Sequence, residues 1–422
     1  MVFVPLTYIW LAVFLLETRR SMHKFLMILF LFTIVACGRQ QTQSPTEPTM
    51  ALSAPTATGA ASALSPASTA TSQTIASSET QATARPTVTA APPATALAAG
   101  ELVVMAHDSF TLSKALIADF EKQHNLKVTV LPSGDAGSAL NKAILSKDAP
   151  LADVFFGVDN TFLSRALEAD IFEPYNSPAL ASISDTYKLD ASNRLIPIDF
   201  GFVTINYDKA YLQTHNLTAP TNLRDLTKPE WKSLLVVENP ATSSPGLAFM
   251  LASIAEFGTE GDYTWLNFWQ DLRANDVLVV DGWNDAYYTQ FSASSGQGPR
   301  PLVVSYTSSP AAEVFFSEGK LNEPPTANLA VGSFLQVEFA GVLKGAKNPE
   351  AARQFIDFLL SWPVQEDIPL QMFVYPVKSD AELPEVFNKF APVPEQYASL
   401  PPDEISKNRE AWIEAWQKAV LR

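Results

Sequence analysis

Leu102-Val-Val-Met-Ala-His-Asp-Ser109 joins a short apolar run directly to a polar turn, and the same join recurs at Leu131-Pro-Ser-Gly-Asp135 and Val158-Asp-Asn160. Each apolar run is suited to a buried strand, and a stretch with helical apolar periodicity follows each turn. The strands are expected over 102–106, 127–131 and 153–158, and the helices over 112–124, 136–146 and 161–169. Strict alternation of strands and helices predicts parallel pairing with helical crossovers, which is an α/β fold.

The polar turns after these strands are the first candidates for a functional site. Ligands of parallel sheets bind beyond the carboxyl ends of the strands, close to helix N-termini. Here those positions hold His107-Asp108-Ser109, Ser133-Gly134-Asp135 and Asp159-Asn160. Asp108 and Asp159 could instead be simple helix caps, and the sequence leaves both interpretations open.

The second half of the chain adds an extended stretch and a hydroxyl-rich turn. Residues 196–207 form an extended segment longer than one strand needs, which favours a hinge between two lobes. Asn239-Pro-Ala-Thr-Ser-Ser-Pro-Gly246 then opens an apolar helix over 247–257. Donors at a helix start suit an anion, although Thr242 or Ser243 could equally serve only as the N-cap.

The N-terminal region has the pattern of a secretory signal that ends at the single cysteine of the chain. Basic residues at His23 and Lys24 precede the apolar run 25–35, and Cys37 follows a small residue. With the cysteine first after the cut, the pattern resembles a bacterial lipobox, in which the thiol is diacylated. We therefore expect a signal peptide over 1–36 and a lipid at Cys37. An uncleaved anchor with an incidental cysteine is the alternative, and translation could also start at Met22.

Residues 37–100 have the composition of a tether. Ser, Thr, Ala and Pro dominate from Gln40 onward, with no apolar periodicity and few charges. Such a segment cannot bury enough surface to offset its ordering entropy, so we expect the lipidated cysteine to be followed by a disordered linker. This linker would allow the folded residues to extend away from the membrane in which the lipid at Cys37 is anchored.

Composition limits what the remaining residues 101–422 can be. That length suffices for two lobes with a sizeable core. The whole chain has 29 basic and 44 acidic residues, and its net charge of −15 argues against nucleic acid as a partner and is compatible with a cationic ligand. No cysteine follows Cys37, so neither a disulfide framework nor a thiolate metal site is expected, and no metal or other cofactor is predicted.

An ordered series of motifs carries a family resemblance. They are Asp108-Ser-Phe110, Ala152-Asp-Val-Phe-Phe-Gly-Val-Asp-Asn160, Pro197-Ile-Asp-Phe-Gly201, Asn239-Pro-Ala-Thr-Ser-Ser-Pro-Gly246, Gly282-Trp283, Ala286-Tyr287, Ser305-Tyr-Thr-Ser-Ser-Pro310, Gln336-Val-Glu338 and Tyr375-Pro-Val377. In this order they resemble the thiamine-binding substrate-binding proteins of ABC importers, within the wider iron- and polyamine-type periplasmic binding proteins. The resemblance covers essentially all of 101–422.

The resemblance implies a fold and a function. The fold would be an α/β, two-lobed periplasmic-binding-protein type 2 fold with the ligand cleft at the hinge. Lobe 1 would comprise 101–200, lobe 2 would comprise 201–310, and 311–422 would return to lobe 1 and end in C-terminal helices. The chain would be an extracytoplasmic, monomeric, non-enzymatic protein. It would bind thiamine or a thiamine phosphate and deliver it to an ABC permease with its ATPase.

The family pattern also implies site residues, position by position. They are Asp108, Ser109, Asp159, Thr242, Ser243, Ser244, Gly246, Trp283, Tyr287 and Tyr306. Trp283 and Tyr306 would hold the rings of the ligand, since aromatic faces suit a flat cation. Asp159 would accept from an aminopyrimidine or offset the thiazolium charge, and residues 242–246 would hold a hydroxyl or phosphate group. Asp199, in the hinge stretch, is expected to be structural. If the ordered motifs are left aside, the simpler interpretation is that Trp283 and Tyr306 are aromatic residues of the hydrophobic core.

The chain departs from the family pattern at four positions. His107 stands where the family often has Tyr, Lys114 and Ala312 replace aromatic residues, and Phe373 lies near an expected Trp. Each lost stacking face could weaken thiamine binding by ~1–2 kcal/mol. Tyr287, Tyr288 or Phe110 could compensate, or the ligand could be a related heterocycle.

Two rival functions remain open from the sequence. A ferric-ion binder shares this fold and would need paired tyrosines with a bound anion, for which Tyr287-Tyr288 is a candidate pair. An extracellular pyrimidine-modifying enzyme is the other rival. The chain contains no phosphate-binding Gly-rich loop, no His-Glu-x-x-His and no Gly-x-Ser-x-Gly motif, which disfavours the common enzyme classes.

Overall fold

The computed structural model describes residues 100–293 and 298–421. The predicted signal segment, the predicted lipid site at Cys37 and residues 38–99 of the predicted tether lie outside the described residues. Among the helices that are described, none combines the length and the apolar character required to cross a bilayer.

The strands of the described residues join in one mixed sheet. They are β1 (Gly100–Ala106), β2 (Leu126–Pro132), β3 (Val154–Asp159), β4 (Phe172–Glu173), β5 (Ile196–Asp208), β6 (Leu235–Glu238), β7 (Leu278–Val280), β8 (Leu302–Tyr306), β9 (Thr326–Asn328), β10 (Phe334–Leu343) and β11 (Tyr375–Pro376). The order along the sheet is β2-β1-β3-β10-β5-β8-β6-β7, while β4 pairs with β10, and β9 and β11 pair with β5.

The helices cover the faces of this sheet. They are α1 (Lys114–His124), α2 (Ala136–Leu145), α3 (Leu163–Glu168), α4 (Lys209–Thr214), α5 (Ser244–Phe257), α6 (Trp265–Ala274), α7 (Trp283–Asp285), α8 (Ser309–Phe316), α9 (Pro349–Leu359), α10 (Trp362–Gln371), α11 (Glu385–Phe390) and α12 (Pro402–Val420). A turn of π-helix, Ala286–Gln290, continues α7, and short 3₁₀ turns lie at 178–182, 185–187, 223–227 and 229–231.

Two groups of parallel strands flank two long antiparallel ones. In the first group β1 pairs in parallel with both β2 and β3, and in the second β6 pairs in parallel with both β7 and β8. This confirms the α/β alternation predicted from residues 101–170. The sequence did not predict β10, which inserts antiparallel between β3 and β5. Within residues 100–293 and 298–421, the strands that lie between the two groups are β10 and β5.

The ladder of β10 is irregular at the point where the lobes meet. Its register against β5 shifts between Glu338 and Phe339, and its register against β3 shifts between Phe339 and Ala340. A bulge of this kind bends a strand and increases its local twist. Next to this bulge, Glu338 pairs with Asp159 at the end of β3 and with Asp199 of β5.

The core is split between the two faces of the sheet, as strand periodicity requires. In β1, Met105 belongs to one hydrophobic cluster, while Leu102, Val104 and Ala106 belong to the other. Successive side chains of a strand point to opposite faces, so both faces of this strand are buried. The first cluster extends to the C-terminal helix α12, which packs against α3 and α6.

Trp416 on α12 provides a test of this packing. Its side chain is fully buried and meets the ring of Trp269 edge-on, with ring centroids 5.4 Å apart. Trp416→Ala should lower the free energy of unfolding by about 3–5 kcal/mol, because it removes a large buried ring and leaves a cavity. Urea unfolding of the full-length protein measures this loss.

The matched control is Trp362→Ala. Trp362 is 40% exposed, so its removal should cost about 1 kcal/mol or less. Equal losses for the two variants would show that α12 is not an integral part of the core.

Candidate functional site

A cavity of about 710 Å³ lies where the two lobes meet. Its walls come from the turn after β1, the N-termini of α2 and α5, the middle of β5 and β10, residues 281–288, the start of α8 and residues 371–374. The lining residues used below are His107, Asp108, Ser109, Asp135, Asp199, Ser244, Asp281, Trp283, Asp285, Tyr287, Tyr288, Tyr306, Ala312, Glu313, Phe316, Gln336, Glu338 and Phe373.

One wall is aromatic. The rings of Trp283 and Tyr287 are stacked, with centroids 4.9 Å apart and planes 17° apart, and Tyr306 lies 6.3 Å from Trp283 at a steeper angle. The indole nitrogen of Trp283 donates to Ser305 Oγ at 2.8 Å, and the hydroxyl of Tyr287 donates to Glu313. These bonds fix the ring planes, so the wall is preformed for a flat ligand.

Three carboxyl side chains form a row on adjacent strands. Glu338 and Asp199 form the floor of the cavity, and Asp159 lies behind it. In the register of the sheet, Glu338 of β10 lies opposite Asp159 of β3 on one side and opposite Asp199 of β5 on the other. Burial, with the nearby Glu338 carboxylate, raises the pKa of Asp199 well above its usual value. Burial, again with Glu338, raises the pKa of Asp159 to about 7. Asp159 and Asp199 therefore hold protons at pH values where exposed carboxyl groups are ionised.

His107 is the one basic side chain among the described lining residues. Its Nδ1 accepts from the backbone N–H of Ser109 at 3.2 Å, so Nε2 carries the proton toward Glu338 Oε1, 3.1 Å away. Burial opposes protonation, but Glu338, Asp135 and Asp108 outweigh it and raise the pKa of His107. The ring fits only because Gly157 has no side chain, since a Cβ there would lie 2.5 Å from the imidazole.

Asp135 joins the two sides of the cavity. One carboxylate oxygen accepts from the N–H of Ala136 at 2.7 Å and so caps α2, while the other accepts from the N–H of Trp283 at 2.9 Å. Gly282 allows this approach, because a Cβ there would lie 3.2 Å from the same carboxylate. The cap of a lobe 1 helix thus positions the start of the aromatic wall. Sequence reasoning placed Asp135 in a polar turn but did not select it as a site residue.

The hydroxyl-rich turn before α5 serves mainly as a helix cap. Ser243 Oγ accepts from the N–H of Gly246 at 3.5 Å, and the hydroxyl of Thr242 donates to the carbonyl oxygen of Asp281 at 2.7 Å. Gly246 packs on β6, where a Cβ would lie 2.5 Å from the carbonyl oxygen of Glu238. Of the predicted anion cradle, Ser244 and Pro245 line the cavity, and the hydroxyl of Ser244 accepts from Gln336 at 2.9 Å.

The structure brings six of the ten predicted site residues into the lining. They are Asp108, Ser109, Ser244, Trp283, Tyr287 and Tyr306. Asp159 lies behind the lining, where its Oδ1 accepts from Thr161 Oγ1 at 2.7 Å and from the N–H of Phe162 at 3.2 Å. Thr242, Ser243 and Gly246 belong to the cap just described.

Five further residues from the sequence analysis can now be placed relative to the cavity. Asp199, expected to be structural, lines the cavity. Of the four departures from the family pattern, His107, Ala312 and Phe373 line the cavity and the exposed Lys114 does not. The three lining departures therefore change the composition of the cavity walls.

Carboxyl groups dominate the electrostatics of the lining. We call the following seven side chains the carboxylate lining: Asp108, Asp135, Asp199, Asp281, Asp285, Glu313 and Glu338. No lysine or arginine among the described residues faces them across the cavity. The described part of the chain also contains no group of three or more His, Cys, Asp or Glu side chains placed to hold a metal ion. The excess of acidic over basic side chains in the lining suits a cationic ligand.

The raised pKa of Asp159 gives a pH test. The folded chain keeps this proton up to about pH 7, whereas the unfolded chain releases it near pH 4, so unfolding becomes more favourable as the pH rises between these values. This group alone should lower the free energy of unfolding by up to about 4 kcal/mol from pH 4 to pH 7. Asp159→Asn keeps the acceptor for Thr161 and removes the titration, so its pH profile should be flatter.

Urea unfolding at several pH values measures the two profiles. Asp148→Asn, on the surface, is the matched control and should keep the wild-type profile. A profile of Asp159→Asn as steep as that of the wild type would contradict a buried, protonated Asp159.

Comparison with known proteins agrees with this architecture. The thiamine-binding periplasmic protein of Salmonella typhimurium is 31% identical over 332 residues, which cover 78% of this chain and 95% of that protein. The solved structure of a periplasmic thiamin binding protein is 28% identical and superimposes with a TM-score of 0.67, covering 76% of this chain and 96% of the other. Iron-bound HitA from Pseudomonas aeruginosa, 18% identical with a TM-score of 0.60 over 76% of this chain and 99% of its own, shares the fold.

These likenesses confirm the two-lobed type 2 periplasmic-binding fold predicted from the sequence. They also place the chain among extracytoplasmic solute-binding proteins. A family model described as bacterial extracellular solute-binding protein matches residues 149–408, more than half of the chain, and the chain belongs to this family.

Proposed function

We propose that this chain is a lipid-anchored binding protein that captures thiamine, or a thiamine phosphate, and delivers it to an ABC import permease. The observation that carries the proposal is the pairing of an aromatic wall with a carboxylate floor in one interlobe cavity. The kinship with thiamine-binding periplasmic proteins supports the choice of ligand.

The chemistry of thiamine suits both surfaces. Its thiazolium ring is a flat, permanent cation, which the faces of Trp283 and Tyr306 attract through their ring quadrupoles. Its aminopyrimidine ring has N–H donors that need an acceptor when buried, and the lining offers Asp108 and Glu338. A cavity of about 710 Å³ lies within the range typical of small-molecule sites.

The proposed mechanism uses the two strands that join the lobes. The ligand would bind in the open cleft, β5 and β10 would bend as the lobes close, and the closed form would dock on the permease. Lobe boundaries near 200 and 310 are part of this proposal, as are the lipid at Cys37, the monomeric state and the ATPase partner.

A related cationic heterocycle is the second candidate. Ala312 lines the cavity where the family pattern has an aromatic residue, and Phe373 lines it near an expected Trp. Phe373 is held by the ring of Phe316, 5.1 Å away, and packs on Phe387. This part of the wall is therefore shaped differently from the family pattern and would accept a ligand with a different substituent.

Isothermal titration of the full-length protein with thiamine tests the proposal, after unfolding and refolding to remove bound ligand. We expect one-to-one binding with a sub-micromolar Kd. Trp283→Ala should weaken binding by about 10- to 100-fold, because it removes the central ring of the aromatic wall. Trp362→Ala, at a tryptophan outside the cavity lining, should leave the Kd unchanged.

Absence of heat with thiamine would contradict the proposed ligand and favour the second candidate. Equal loss of affinity in the two tryptophan variants would show that the aromatic wall is not the binding surface.

A further inference from the structure

Among the lining residues that the structure describes, His107 has the one basic side chain, and it stands where the family pattern often has Tyr. A histidine at this position introduces a group whose charge changes near neutral pH. The imidazole is 15% exposed and lies against the ring of Phe156, with ring centroids 5.5 Å apart. A ligand in the cavity would therefore lie beside a largely buried group that can gain or lose a proton.

The acidic groups around the imidazole favour its charged form. Nε2 lies 3.1 Å from Glu338 Oε1. Burial opposes the charge, but attraction by carboxylates outweighs it and raises the pKa of His107. The acidic side chains that face the imidazole or its partner come from the turn after β1, the cap of α2 and strands β3, β5 and β10. They are Asp108, Asp135, Asp159, Asp199 and Glu338.

The neutral form of His107 also has its hydrogen bonds in this structure. Nδ1 lies 3.2 Å from the backbone nitrogen of Ser109, whose N–H an unprotonated ring nitrogen accepts. Nε2 keeps its proton and continues to donate to Glu338. Loss of the Nδ1 proton therefore leaves neither ring nitrogen without a partner, and the imidazole does not have to move.

We propose, on the basis of the function proposed above, that His107 is a positioning residue that holds Glu338 for the ligand and releases a proton to solvent when a cation binds beside it. A cationic ligand that uses Glu338 weakens the attraction that stabilised the imidazolium, and it adds repulsion of its own. Burial, which has the largest effect on the imidazole, then favours the neutral form. Because binding releases a proton, the affinity for the ligand rises with pH.

Calorimetric titration of the full-length protein with thiamine tests the inference. Titrations at pH 6.5 in buffers of different ionisation enthalpy count the protons that binding releases. We expect about half a proton or more per ligand, because the pKa of His107 lies above its ordinary value of 6.5 in the free protein. For the same reason the Kd should fall by about threefold or more from pH 6 to pH 8.

His107→Gln separates the position of Glu338 from the titration. The amide of the glutamine can still donate to Glu338 but does not titrate. Thiamine should therefore still bind, with about half a proton less released and with a Kd nearly independent of pH over this range. His215→Gln is the matched control, since His215 is exposed, stacks on Tyr211 and lies outside the cavity lining. It should keep the proton release and the pH profile of the wild type.

The outcomes separate the inference from the proposed function. Thiamine binding without proton release, or with the same release in His107→Gln as in the wild type, would overturn the inference and leave the proposed function in place. Failure of thiamine to bind the wild type would overturn the proposed function.

NMR titration of the His107 ring in the wild-type protein gives a test that needs no variant. The ring should titrate above pH 6.5 in the free protein and at a lower pH in the thiamine complex. Titration of the free protein below pH 6.5 would overturn the inference whatever the ligand does.

Discussion

Three carboxyl groups in adjacent positions of one sheet impose the main constraint on this molecule. Asp159, Glu338 and Asp199 face one another across β3, β10 and β5, and like charges directly opposite in a sheet are destabilising. The row can exist only if protons or a cation compensate it, which accords with the raised pKa values of Asp159 and Asp199.

The rest of the cavity is arranged around this row. Asp135 caps α2 and also holds the backbone at the start of the aromatic wall, so a lobe 1 residue sets the position of Trp283. His107 occupies space that Gly157 leaves and donates to Glu338. Burial, these hydrogen bonds and the glycines that lack a Cβ atom therefore hold the cavity walls in one geometry. A specific binding site requires preorganisation of this kind.

Local patterns in the sequence were sufficient for the strands and helices of residues 101–170, because apolar runs and polar turns are short-range signals. The strand-end rule pointed to Asp108 and Ser109 and the family resemblance to Trp283, and all three line the cavity. Local patterns could not place Glu338, because β10 reaches β3 from far along the chain, as the bond of Val337 to Asn160 illustrates. The turn before α5 was ambiguous for a different reason, since the same hydroxyls can cap a helix or bind an anion, and only the packed structure separates the two.

The late position of β10 in the chain also affects how the protein folds. The inner edge of β3 has no antiparallel partner until residues 334–343 have been made, and loop closure over so long a separation is slow. An N-terminal fragment would thus keep an unpaired, apolar strand edge of the kind that aggregates. The sheet of lobe 1 can close only when most of the polypeptide is present. The chain therefore remains incompletely folded after residues 100–170, which contain the first three strands, have been made.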